Sequence, residues 1–244
     1  MGENLRESLW DAINDLEDSL RHGRRVMDKR PQLPPAPAGI DGPPAMEDPG
    51  LAGDSLDAIS AEVLACTRCA LHQGRNRAVP GAGDAERCRV MVIGEAPGAE
   101  EDSQGLPFVG PAGIYLDRWL GAIGLSRENG AFIANTIKCR PPGNRDPLPE
   151  ETGACMPYLL RQISLLQPEV ILCVGRISTS ILLGEEVRIG RSRGRWMRFQ
   201  GIPMIATYHP SAVLRNDELR RPVWEDMKKL KAGLDSGIYR DEVS

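Results

Sequence analysis

The chain has 244 residues, of which 41% are hydrophobic and 26% charged, and a formal net charge of −4. That length suits one sizeable α/β domain with an appendage, and the overall charge is too balanced to mark the whole molecule as a nucleic-acid coat, so any basic footprint must be local. No run of 18 apolar residues is present, and the opening MGENLRESLW lacks the basic-then-apolar order of a signal peptide, so a soluble, cytoplasmic protein with no membrane contact is expected.

Leu5, Leu9, Trp10, Ile13, Leu16 and Leu20 recur at helical spacing and predict an amphipathic helix within residues 1–30. The following PQLPPAPAGIDGPPAMEDPG holds seven prolines and no apolar periodicity, which predicts an extended, semi-rigid linker over 31–50. The compact domain is then 51–244. An isolated helix with an apolar stripe is marginal in water, so the N-terminal helix is expected to serve a protein partner or self-association.

Within the domain, short β-branched runs at 90–93, 131–137, 170–174 and 204–207 alternate with helical patterns at 113–123, 150–166 and 177–183. Nearly continuous apolar runs suit strands buried on both faces of a parallel sheet. The order predicts a three-layer α/β/α sandwich with a four-stranded parallel sheet, whose ligands sit outside the carboxyl ends of the strands. That rule selects GEAPG at 94–98, Asn135 and Thr136, Gly175 and Arg176, and Tyr208 to Ser211. The glycine-rich turn at 94–98 carries Glu95 and runs on into Glu100, Glu101 and Asp102, and it lacks the Walker lysine, so phosphate is a poor occupant.

Cys66 and Cys69 form a CxxC, joined at long range by Cys139 in KCRPP and Cys155 in ETGACMPYL. Four thiolates can enclose a [4Fe-4S] cluster or a zinc ion, and spacing alone does not choose between them or exclude simple burial. Cys88 and Cys173, without partners at ligand spacing, fit burial.

Taken together, GEAPGAEEDSQGLPFVGPAG, NTIKCRPPGNRDP, Cys155 and YHPSAVLR resemble the family 4 uracil-DNA glycosylases, in order from about Cys66 to Leu230. The resemblance implies that Cys66, Cys69, Cys139 and Cys155 hold a [4Fe-4S] cluster. It also implies that the protein flips uracil from single- or double-stranded DNA and hydrolyses its N-glycosidic bond in base excision repair. By the same resemblance Phe108 stacks on the base, Asn135 reads uracil O4 and N3–H, and His209 stabilises the departing base at O2. Glu95 supports the cationic sugar and Glu101 crowds uracil C5, while Glu100 and Asp102 are left to solvent or to capping a helix. Classical uracil glycosylases carry an aspartate where this chain has Ala96, so leaving-group stabilisation is expected to dominate. A related class that captures uracil covalently uses a histidine in an inserted basic loop; between Pro107 and Leu120 this chain has neither.

DNA phosphates are expected at Arg188, Arg191, Arg193, Arg195 and Arg198 and around Lys138, Arg140 and Arg145. Val213 and Leu214 compete as the wedge that fills the gap left by the flipped base, with Arg215 on a phosphate. The alternative reading is a uracil- or damaged-DNA-binding protein of the same fold without turnover.

Overall fold

A computed structural model describes residues 54–237; the predicted N-terminal helix and proline-rich linker lie outside the described residues. The first helix, α1 (Leu56–Ala65), starts where the Ser55 hydroxyl accepts the Ala58 N–H at 3.1 Å, satisfying one of the donors that a helix start leaves open. Two short strands follow in sequence, β1 (Ala82–Gly83) and β2 (Val90–Gly94), then α2 (Ala99–Gln104) and α3 (Pro111–Ala122). Next come β3 (Ala131–Asn135), α4 (Pro149–Leu166), β4 (Val170–Val174) and α5 (Arg176–Leu183). The chain then forms α6 (Ile189–Ser192), β5 (Trp196–Phe199), β6 (Ile202–Thr207), α7 (Pro210–Arg215) and α8 (Arg220–Ser236).

The sheet has six strands in the order β1-β3-β2-β4-β6-β5. Its four central strands are parallel, as predicted, while β1 and β5 add antiparallel edges. Both edges escaped the sequence reading for physical reasons. β1 is two residues long, and β5, WMRF, is partly exposed and lies among arginines. β3 ends at Asn135 rather than at residue 137, although the Thr136 and Ile137 amides still donate to the Gly94 and Glu95 carbonyls at 2.9 and 3.2 Å.

Alternate residues of each central strand face opposite cores, the period-two signature of a pleated strand. Val90, Val92, Leu172 and Ile205 pack against Leu116 and Leu120 of α3 and Met227 and Leu230 of α8. Met91, Ile93, Ile171 and Met204 pack against Leu159 and Ile163 of α4 and Leu182 of α5. Helix α8 was unpredicted, yet Val223, Met227, Leu230 and Leu234 carry helical spacing on its buried face. A third cluster joins Ile59 and Val63 of α1 to Ile137, Cys139, Cys155 and Tyr158. Arg161 of α4 clamps this end by ion pairs to Asp54 and Glu62, each at 2.7 Å.

Register determines what meets at the carboxyl edge: Gly94 pairs with Asn135, and Val174 with Thr207. The turns after β2, β3, β4 and β6 therefore open onto one side of the sheet. Among the described residues no helix is long and apolar enough to cross a membrane.

Candidate active site and cysteine ring

A cleft of about 510 Å³ lies at that edge, lined by Glu95, Ala96, Glu101, Phe108, Asn135, Arg176, His209 and Arg215 among others. Asn135 is 1% exposed, and neither its Oδ1 nor its Nδ2 finds a hydrogen-bond partner among the described groups. A buried amide left unpaired costs about 1–3 kcal/mol, so such a group marks a place that a ligand or a water completes. Its backbone is fixed from behind, because the ammonium of buried Lys138 donates to the Asn135 carbonyl at 3.0 Å and to Gln162 at 2.8 Å. Beside it Gly94 is required: a Cβ there would lie 2.5 Å from Asn135 Oδ1 and 2.6 Å from Phe108 Cζ. The glycine lets an aromatic ring and an amide converge on one point.

The Phe108 ring stands 5.7 Å from the His209 ring, tilted by 34°. His209 caps α7: its Nδ1 accepts the Ser211 N–H at 3.2 Å and lies 2.7 Å from the Ser211 hydroxyl. An accepting Nδ1 assigns the proton of the neutral ring to Nε2, leaving that edge as a donor. Burial, aided by the Arg215 charge and opposed by Glu101, pushes the His209 pKa down to about 4, so the ring is neutral at physiological pH. Glu95 moves the other way. Burial and the nearby Asp146 carboxylate raise it to about 7, against the pull of Arg176.

Cys66, Cys69, Cys139 and Cys155 line a single small pocket beside α1 and α4. N–H groups point at three of the sulfurs: Arg75 Nη1 to Cys139 at 3.1 Å, the Lys138 amide to Cys155 at 3.2 Å, and the Arg68 amide to Cys66 at 3.5 Å. Donors aimed at sulfur suit thiolates. Burial pushes Cys155 up to about 11 and raises Cys139, an expense that ligation to a cation removes. Among the described residues no three His, Cys, Asp or Glu side chains form a group able to hold a single metal ion; the four cysteines instead ring a cavity. Four cysteines gathered at one pocket are nonetheless a donor set that suits an iron–sulfur cluster or a zinc ion.

The profile of the uracil DNA glycosylase superfamily matches residues 80–228. The type-4 uracil-DNA glycosylase of Archaeoglobus fulgidus is 42% identical over 187 residues, covering 72% of this chain and 92% of that protein. That of Saccharolobus solfataricus is 45% identical over 192 residues, covering 75% and 88%, and that of Thermotoga maritima 43% over 183 residues, covering 72% and 93%. The chain belongs to the type-4 uracil-DNA glycosylases.

Within this type-4 fold several predicted residues lie elsewhere than expected. Val213 is 1% exposed and packs in the core below α7, whereas Leu214 is 46% exposed; a helical turn cannot aim both outward, and Val213 is no wedge. Arg193 faces inward, ion-paired to buried Asp226 at 2.6 Å and bonded to the Pro222 carbonyl, so it is withdrawn from a phosphate role. Lys138 is buried behind Asn135, and Arg145 is engaged by both oxygens of buried Glu151 at 2.6 and 2.8 Å. Arg140 donates to Asn144 at 2.8 Å, and Arg191 and Arg215 are exposed, Arg215 at the cleft rim.

Among the acidic residues Glu100 is exposed, whereas Glu101 and Asp102 are both engaged within the protein. Glu101 reaches back to the Gly98 N–H at 3.0 Å and accepts from Val109 and Gly110 at 2.9 and 3.0 Å, so it braces the cleft wall it lines. Asp102 is neither solvated nor a cap: it is buried and accepts from the Asn76 backbone and side chain at 3.0 and 2.6 Å. Ser211, which fixes the His209 tautomer, went unassigned, although His-Pro-Ser after a strand is legible as a helix cap followed by proline at the first helical position.

Proposed function

We propose that this chain flips uracil out of DNA into the cleft and hydrolyses its N-glycosidic bond, leaving an abasic site for base excision repair. The single observation that carries the reading is the Asn135 amide, buried and unpartnered at the cleft floor beside an aromatic ring. An amide held in one orientation donates to uracil O4 and accepts from N3–H; cytosine presents the opposite pattern at both atoms. Phe108 supplies the stacking face, and the Nε2–H of neutral His209 serves the O2 oxygen on which charge grows as the bond breaks. Glu95 sits where an oxocarbenium-like sugar develops positive charge. Ala96 offers no carboxylate, so bond breaking leans on the departing base. Leu214, exposed at the end of α7, fills the vacated stack, with Arg215 and Arg191 toward phosphates.

Incubation of the full chain with a labelled uracil-containing oligonucleotide, followed by alkali, tests the reading. Strand scission at the uracil position is expected. Binding without scission would favour the non-catalytic alternative.

Glu95 adds a pH signature. Its ionised form is the active one and its pKa is raised to about 7, so kcat/KM is expected to rise with pH up to about 7 and then level. Glu95→Gln should flatten that limb; an unchanged limb would assign it to another group.

Cys66, Cys69, Cys139 and Cys155 would hold the [4Fe-4S] cluster, which ties the segments together and takes no part in bond cleavage, since base excision moves no electrons. Cys69→Ala is expected to lower thermal stability or DNA affinity by more than it slows single turnover of the bound fraction. A variant that is stable, iron-free and fully active would remove the structural role.

A further inference from the structure

We propose that Arg127, in the turn before β3 and outside the cleft, is a positioning residue that sets the aromatic platform on which the base stacks. The inference rests on the stacking role given to Phe108 above. Phe108 adopts φ +53°, a left-handed backbone that bulky residues rarely hold unless their surroundings impose it.

Those surroundings can be named. The Arg127 guanidinium donates from Nη1 to the Pro107 carbonyl at 2.7 Å and from Nη2 to the Phe108 carbonyl at 2.5 Å, so one planar fork spans both peptide groups around the strained residue. Its Nε donates to Asp117 of α3 at 2.8 Å, which holds the fork in place. From the other side Glu101 accepts the next two amides, those of Val109 and Gly110. The turn is thus gripped by a cation on its carbonyls and an anion on its amides. Close approach completes the arrangement: a Cβ at Gly113 would fall 1.7 Å from the Phe108 oxygen. A lysine carries the charge without the fork, so the geometry calls for arginine specifically.

The test uses the full, iron-loaded chain with Arg127→Met and Asp117→Asn, the second a milder variant because Asp117 lies at the surface. Hydrogen exchange across residues 106–113 is expected to quicken about tenfold or more in Arg127→Met, and less in Asp117→Asn, while strands β2 and β4 stay protected. Single-turnover uracil release should fall about ten- to a hundredfold, the scale of a displaced binding group. In a Phe108→Ala background the same Arg127→Met change should add less than about threefold, because the platform it sets is gone. Unchanged exchange in folded Arg127→Met, or in Asp117→Asn should the first not fold, would overturn the clamp. So would losses that multiply in full with Phe108→Ala. A wild-type chain that releases no uracil would defeat the excision reading instead, and the exchange measurement would still decide the clamp.

Discussion

Replacing His209 with alanine is expected to slow single-turnover uracil release by about a hundred- to a thousandfold, the range for losing one preorganised donor to a developing oxyanion, or about 3–4 kcal/mol. The size follows from preorganisation. The Ser211 amide and hydroxyl hold Nδ1, the proton is left on Nε2, and burial keeps the ring neutral down to a pKa of about 4. The donor therefore persists across physiological pH, and the His209-dependent part of the rate should stay flat until acidity approaches that value. The same depression links the ring to folding. Between the ordinary value of 6.5 and about 4, the unfolded chain binds the proton and the folded chain does not, so stability contributed above 6.5 is lost as pH falls through that window. His209→Ala should lose that portion of the acid sensitivity. A folded variant releasing uracil at the wild-type rate would remove His209 from the chemistry.

Asn135→Asp is expected to lower uracil release by about a hundredfold or more while introducing slow release of cytosine, since a site built to pair specific polar atoms discriminates strongly against the wrong pattern. The new carboxyl would lie where Asn135 is 1% exposed and where its side chain has no partner in the protein, conditions that favour the protonated form. A protonated carboxyl donates to cytosine N3 and accepts from its amino group, the reverse of the asparagine pattern. Matched oligonucleotides carrying one uracil or one cytosine, each followed by alkali, read both effects. Undiminished uracil release, or inertness toward both bases in a folded protein, would contradict a recognition role set by amide orientation.

The central sheet was legible because burial on both faces leaves unbroken runs such as VMVI and VILCV, and the cleft followed from where those runs end. The edge strands were not legible, because a two-residue pairing and a strand among arginines carry no continuous apolar signal. Asn135 and His209 fall at strand ends where the fold predicts a cleft, but their roles, like that of Phe108, were legible only through the family resemblance. Partner choice among like residues was hidden. Which of Glu100, Glu101 and Asp102 turns inward depends on the pitch of a six-residue helix, and which of Val213 and Leu214 is buried depends on another of equal length. Arg193 resembled its exposed neighbours until Asp226, 33 residues on, met it in space.

The cysteine ring and the Asn135 amide are separated by very little chain. Asn135 and Cys139 bracket three residues, and the middle of that span is fastened at both ends: Thr136 to the Glu95 carbonyl at 2.7 Å, Lys138 back to the Asn135 carbonyl. The Lys138 amide is in turn bonded to the Cys155 sulfur. Such a segment has no slack, so its length is constrained as tightly as its chemistry. A displacement at the Cys139 end has no loop in which to dissipate before it reaches Asn135.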